Sequence, residues 1–275
     1  MRTALVSYLY EGALEYLREF VNAIQSQSFL AFDIILFNDG VDHPEKLIQF
    51  DTCKITFVPI TGTPAMIRFE SLSYLKDSPY DYLIFQDLDD TMSSKRVEVI
   101  VKKLQSYNIV CNDLCLMSES GEVKTQGIWQ PILGNNFEFS QGFIEDKNIV
   151  GFGNTGITRS LLQEVFQINE EIIAADWFVF FQLLSKSTTP GLFVSDCQTN
   201  YRQHENNIAG IKEVNQERIN YVLKVKIAQY KGLIKTGFNF QSHLNKMLSL
   251  QNRNFTITDT INEPLLWWEE TKFIQ

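Results

Sequence analysis

The sequence predicts an α/β fold in which a mixed, mostly parallel sheet lies between helices and a C-terminal helical appendage follows. Three observations predict it. Short apolar runs alternate with segments whose apolar residues recur at helical spacing, polar clusters stand directly after the apolar runs, and beyond Gly210 helical periodicity continues alone.

The elements justify this in order. Thr3 to Tyr8 (TALVSY), Phe32 to Phe37 (FDIILF), Lys54 to Val58 (KITFV) and Tyr82 to Phe85 (YLIF) read as strands, apolar on both faces as buried parallel strands are. Leu14, Leu17, Val21 and Ile24 mark a helix after the first strand, and Ile67, Leu72 and Leu75 another after the third. Val97, Ile100, Val101 and Leu104 mark a further helix, with its N-cap expected from the Asp90 to Ser94 segment. Strand-like pieces (IVCNDLCLM, EVKTQGIW) then lead through a Gly/Asn-rich passage to a short helix, Ser160 to Phe166. AADWFVFFQLL reads as a very apolar helix, Gly191 to Val194 as a strand, and Ile219, Val222, Leu223, Ile227, Tyr230 and Ile234 as an amphipathic helix. The expected division is a catalytic domain over 1–210 and a helical appendage over 211–275.

Composition narrows the function. With 275 residues, 44% of them hydrophobic, the chain can bury a large core. A formal net charge of -9 repels phosphate backbones, which argues against nucleic acid as a partner. Cys53, Cys111, Cys115 and Cys197 show no metal-ligand spacing and read as reduced thiols. No apolar run approaches the roughly 18 residues of a spanning helix, so a cytoplasmic protein is expected, with contact at the inner face of a membrane as the closest approach to a bilayer.

In open α/β sheets ligands bind at the carboxyl ends of strands. Ser7 and Tyr8 close the first strand, Asn38-Asp39-Gly40 follow the second, and Asp87, Asp89 and Asp90 follow the fourth in YLIFQDLDDTM. Three carboxylates in one turn repel unless a cation neutralises them, and oxygen ligands of this kind suit Mg²⁺ or Mn²⁺ bound together with substrate phosphates. The same letters spell D-x-D-x-T, the signature of haloacid-dehalogenase-like phosphatases, with Asp87 as nucleophile. That chemistry places its Asp after the first core strand and needs a downstream acidic pair, and neither requirement is met.

Residues 3–210 resemble family 2 glycosyltransferases of the GT-A fold, a Rossmann-like architecture. The resemblance rests on LVSYLYEGALEYLREFVNAIQSQSF, IILFNDGVD, PAMIRFESL, YLIFQDLDD and YRQHENNIAG in this order. It implies an inverting, metal-dependent transfer of a sugar from a nucleotide-sugar donor to a hydroxyl on a glycan or lipid-linked glycan, in bacterial surface glycan synthesis. Ser7, Tyr8, Asp39, Arg68, Asp87 and Asp89 would bind the nucleotide sugar. Asp89, Asp90 and His204 would hold Mn²⁺ or Mg²⁺. Asp176 would be the general base, although Ala175 stands where the family often has a first acid, leaving Glu170 and Glu171 as alternatives. Trp177 would offer a sugar-stacking face. A catalytically silent nucleotide- or glycan-binding homologue is the other alternative. The C-terminal helices would pack on the core, form a homodimer, or present Trp267 and Trp268 to a partner or membrane.

Overall fold

The computed structural model describes residues 1–50, 53–163, 170–204, 214–251, 253 and 265–273. In chain order these form β1 (Thr3–Tyr10), a 3-10 turn (Glu11–Tyr16), α1 (Leu17–Gln25), β2 (Asp33–Asp39), α2 (Pro44–Leu47), β3 (Ile55–Pro59), α3 (Pro64–Lys76), β4 (Tyr82–Phe85), β5 (Thr91–Met92), α4 (Arg96–Lys103), β6 (Ile109–Ser118) and β7 (Val123–Thr125). There follow α5 (Gln130–Leu133), β8 (Phe137–Phe139), β9 (Thr155–Thr158), α6 (Ala175–Lys186), β10 (Gly191–Gln203), α7 (Gln216–Lys235) and α8 (Gln241–Leu250). The last part of the expected Ser160 to Phe166 helix, the 210/211 boundary and the ENNIAG half of YRQHENNIAG lie outside the described residues.

All four expected strands form, and they make one parallel block in the order β3-β2-β1-β4. The sheet continues through β9, antiparallel to both β4 and β6, and then β10, which runs parallel to β6. Alternation along β1 sorts its side chains between two cores. Ala4, Val6 and Tyr8 join the core covered by α3, α6 and α7, whereas Leu5 and Leu9 join the core beneath α1 and α4. The sheet is therefore buried on both faces, which is why its central strands read as continuous apolar runs.

Two details differ from expectation. β10 extends far past Val194, through a bulge between Val194 and Gln198, and so carries Tyr201 and Arg202 back to the ligand edge of the sheet. The N-cap of α4 is Lys95, with no side-chain cap from the Asp90 to Ser94 segment, because β5 and its pairing with β10 occupy that stretch. Gln27 on the neighbouring turn supplies the acceptor instead, its Oε1 receiving the Val97 N–H at 3.1 Å.

The C-terminal helices pack on the core. Ile219, Val222, Leu223, Ile227 and Tyr230 of α7 belong to the same apolar cluster as α6, and Trp267 and Trp268 are buried in it. Among the described residues no helix is long and apolar enough to cross a membrane.

Candidate active site

The site is built at the end of β4, where a buried arginine sets the backbone. Arg96 is fully buried and donates to Phe85 O at 2.8 Å, to Gln86 Oε1 at 2.8 Å and to Asn112 Oδ1 at 2.6 Å, tying the end of β4 to β6. The chain then turns through Asp87 to Asp90, and each carboxylate goes to a different partner. Asp87 Oδ1 accepts from Arg68 Nη2 at 2.7 Å. Asp89 Oδ2 lies 3.1 Å from His204 Nε2. Asp90, 2% exposed, turns inward and accepts the Arg202 backbone N–H at 2.8 Å.

The end of β10 holds this turn. Arg202 is fully buried and donates to Asp89 O at 2.7 Å, Glu119 O at 2.6 Å and Glu19 Oε2 at 2.7 Å, with its guanidinium 4.4 Å from the centroid of the Tyr16 ring. Gly153 passes so close that a Cβ there would stand 2.8 Å from Asp87 Oδ2 and 3.2 Å from Asp90 Oδ2. Only glycine leaves these carboxylates their present positions.

A cavity of about 250 Å3 opens over this turn, and among its walls are Tyr8, Tyr10, Arg68, Asp89, Asp176 and His204. The Arg68 guanidinium stacks 3.5 Å from the centroid of the Tyr8 ring, and its Nη1 is buried with no hydrogen-bond partner among the described residues. Asp87 also lines the cavity, and its carboxyl is held above the usual range by burial, against the pull of Arg68. Burial and the neighbouring Asp89 push Asp90 well above that range.

Asp176 enters from the first turn of α6. Its Oδ1 accepts the Trp177 N–H at 2.7 Å, while the N-cap itself is Ala174, which offers no side-chain cap. Burial raises the Asp176 carboxyl to about 6, with a smaller push from Asp87. A carboxylate of that pKa is a competent proton acceptor near neutral pH.

The remaining expected residues lie elsewhere. Ser7 is fully buried and shares a strand face with Leu5 and Leu9, away from Tyr8 and the cavity. Asp39 does not line the cavity but stands at the end of β2, in register with Tyr10. Trp177 is fully buried and donates from Nε1 to Ile144 O at 2.6 Å, so it is a core residue. Glu170 and Glu171 are exposed and line no part of the cavity; Glu171 pairs with Lys235 at 3.2 Å.

Tyr10, Tyr201, Phe152 and Trp268 line the cavity without having been singled out as site residues by sequence reasoning. Tyr10 was legible, since it continues the Tyr8 face of β1 two residues on. Tyr201 opens the YRQHENNIAG stretch and Trp268 was expected to pack or to face a partner, while nothing local marked Phe152.

Asp89 and His204 are the residues of this set that could hold a divalent cation. Among the described residues no group of three or more His, Cys, Asp and Glu side chains converges on one point. A facing carboxylate and imidazole leave the other coordination positions to phosphate oxygens and water, the arrangement of hard cations bound together with substrate phosphates. Asp90 is directed away from this pair by its bond to Arg202.

No protein-family model matches the chain, and no curated protein sequence matches it. Solved structures do. S. aureus TarS 1–349 in complex with UDP-GlcNAc superposes with a TM-score of 0.60 at 14% identity, over 91% of this chain and 71% of that one. The mannosyltransferase PcManGT from Pyrobaculum calidifontis, in complex with GDP-Man and Mn²⁺, superposes with a TM-score of 0.60 at 12% identity, over 91% of this chain and 69% of that one. The chain has the GT-A fold of these glycosyltransferases.

Proposed function

We propose that the chain is a nucleotide-sugar glycosyltransferase that transfers a sugar with inversion to a hydroxyl acceptor. The observation that carries the reading is one cavity in which a carboxylate of raised pKa, Asp176, faces an Arg68–Asp87 pair and an Asp89–His204 pair. The first is suited to taking a proton, and the two pairs are suited to holding a nucleoside diphosphate. The solved structures of the same fold, with UDP-GlcNAc in one and GDP-Man and Mn²⁺ in the other, support it.

Asp89 and His204 would hold Mn²⁺ or Mg²⁺. When bound, the ion supplies charge neutralisation to the diphosphate leaving group. Arg68 adds a second cation, directed by its stack on Tyr8. Asp39, at the end of β2 in register with Tyr10, would contact the nucleotide base. Asp176 takes the proton of the acceptor hydroxyl as its oxygen bonds to the anomeric carbon, and the bond from that carbon to the diphosphate oxygen breaks on the opposite side. Inversion follows from that single displacement.

The GT-A fold argues against the phosphatase reading, and Asp87 is paired with Arg68. The presence of Asp176 within the cavity favours an active enzyme over a silent homologue. By analogy of fold we assign the transfer to bacterial surface glycan synthesis, on the cytoplasmic side of the membrane.

The test is a thermal-shift panel of UDP-, GDP- and dTDP-sugars with and without Mn²⁺. One nucleotide class should raise the melting temperature, more strongly with the metal, by mass action. Absence of any shift across the panel would overturn the donor assignment.

A further inference from the structure

The stretch Leu265 to Thr271 brings two residues to the cavities around Asp176, and contacts from three directions fasten it. Trp267 exchanges two backbone hydrogen bonds with Asn148, at 2.9 and 3.1 Å. Trp129 Nε1 donates to Leu265 O at 3.3 Å. Trp129 is in turn held by the fully buried Asp113, which accepts the backbone N–H groups of Leu114, Trp129 and Gln130 at 2.8, 2.9 and 3.1 Å. From α7, the buried Arg218 meets Glu270 at 2.6 Å, and Lys226 donates to Thr271 Oγ1 at 2.6 Å. A buried ion pair of this kind holds geometry more than it adds stability.

Trp268 holds a backbone φ of +70°, a left-handed conformation that a bulky residue keeps only where its surroundings over-determine it. The two rings of this turn have different neighbours. That of Trp268 lies against α7, its centroid 6.4 Å from the Tyr221 ring and 5.5 Å from the Arg218 guanidinium. That of Trp267 meets Trp129 edge-on at 4.7 Å and Tyr201 at 6.1 Å, and a Cβ on Gly151 would stand 3.1 Å from it. Trp267 borders a small cavity of about 70 Å3 that adjoins the main one and shares Asp87, Phe152, Asp176 and Tyr201 with it. Both tryptophans are buried, so the Trp267 ring is a wall of this compartment and not a surface offered to a ligand.

We propose that Trp267 is a positioning residue for Asp176: its ring closes the compartment behind the carboxylate and keeps bulk water from it. The consequence for catalysis rests on the glycosyltransferase reading above, in which Asp176 is the base; the closure itself does not. The charged and titratable groups that line either cavity with Asp176 are Arg68 of α3, Asp87, Asp89 and Asp90 of the turn after β4, Tyr8 and Tyr10 of β1, and Tyr201 and His204 at the end of β10; among the described residues none comes from α7. Burial acts on the Asp176 carboxyl more strongly than the Trp177 N–H or the opposed charges of Asp87 and Arg68. Burial is therefore the influence to trace to a residue, and a wall supplied by an aromatic side chain is one that substitution can open.

The test is a carbon-13 NMR titration of the aspartate carboxyls in the full chain, with the Asp176 signal identified by its loss in Asp176→Asn. In the parent its midpoint should lie near about 6. Trp267→Ala opens the wall, and the midpoint should fall by about 1 or more toward the ordinary 3.8, whereas Trp267→Phe, which keeps an aromatic wall, should leave it near the parent's. The acid limb of kcat/KM should move down with it in Trp267→Ala. A general loss of stability would not move the midpoint of one carboxyl. A parent midpoint already near 3.8, or one unchanged in Trp267→Ala, overturns the proposal. If Trp267→Ala fails to fold, Trp267→Gln, which puts a hydrated amide in the ring's place, is read in the same way and decides. The titration needs neither donor nor acceptor, so it judges the wall alone; absence of a nucleotide-induced rise in melting temperature would defeat the donor assignment instead.

Discussion

Asp89 and His204, 115 residues apart in the chain, face each other with Oδ2 and Nε2 separated by 3.1 Å. The pair joins the end of β4 to the end of β10 within the cavity. If it is the protein's share of a cation site, Asp89→Asn should abolish most of the Mn²⁺-dependent gain in nucleotide affinity, because an amide does not neutralise a dication. Metal-dependent binding retained at its original strength, measured by calorimetry, would place the cation elsewhere.

Asp176→Asn should reduce transfer by about 10²- to 10⁴-fold, the usual cost of losing a positioned base, with nucleotide affinity nearly intact. In the parent enzyme kcat/KM should fall on the acid side with an apparent pKa near the value of about 6 that burial imposes on Asp176. An acid limb near 4, read from a pH–rate profile, would assign the base to a solvent-exposed carboxylate instead.

The same residue makes a stability prediction whose sign is opposite to that of an ordinary salt-bridged carboxylate. The folded value of about 6 lies above the ordinary 3.8, so the folded protein keeps a proton that the unfolded chain has released. Stability from this group is fully present below 3.8 and is lost as pH rises through about 6. Asp176→Asn escapes that loss. Its melting temperature should exceed the parent's by a margin that widens between about pH 4 and pH 7.5. A margin constant with pH would show that the carboxyl is not desolvated.

Gly153→Ala tests how tightly the carboxylates are packed. The new Cβ would meet Asp87 Oδ2 at 2.8 Å, so Asp87 must rotate and its bond to Arg68 must lengthen. Overpacking of this kind costs about 1–3 kcal/mol. Nucleotide affinity should fall by more than the loss of stability accounts for, and unchanged affinity in a binding titration would remove the Asp87–Arg68 pair from the donor site.

Arg202→Met removes a fully buried guanidinium and leaves the Asp89 and Glu119 carbonyls without its N–H groups. Breaking a buried charged network commonly costs about 3–5 kcal/mol. A urea midpoint that moved by less than about a third of that would show that the Asp89 turn stands without Arg202.

Much of the architecture is legible along the chain because buried parallel strands are written locally. TALVSY, DIILF, ITFV and YLIF are apolar on both faces because both faces of the sheet are covered, and each is a strand in the structure. The α7 stripe from Ile219 to Tyr230 is legible for the corresponding reason, a helix with one face on the core. The rule that ligands gather after the strands likewise pointed to Tyr8 and to the Asp87 to Asp90 turn, both of which meet at the cavity.

Other features depend on which faces and chain ends meet, and no short window of sequence contains that. Ser7 and Tyr8 are neighbours in the chain, yet the parity of β1 sends one into the α1 side and the other to the cavity. Three adjacent carboxylates look equivalent until Arg68, His204 and the Arg202 backbone each take one. That Trp268 and not Trp177 lines the cavity depends on the chain's last described residues folding back against Asn148 and α7. Periodicity records the environment of an element because it repeats at every turn or pleat. A site assembled from single residues of distant elements has no repeat to record, and only their packing in three dimensions brings it into being.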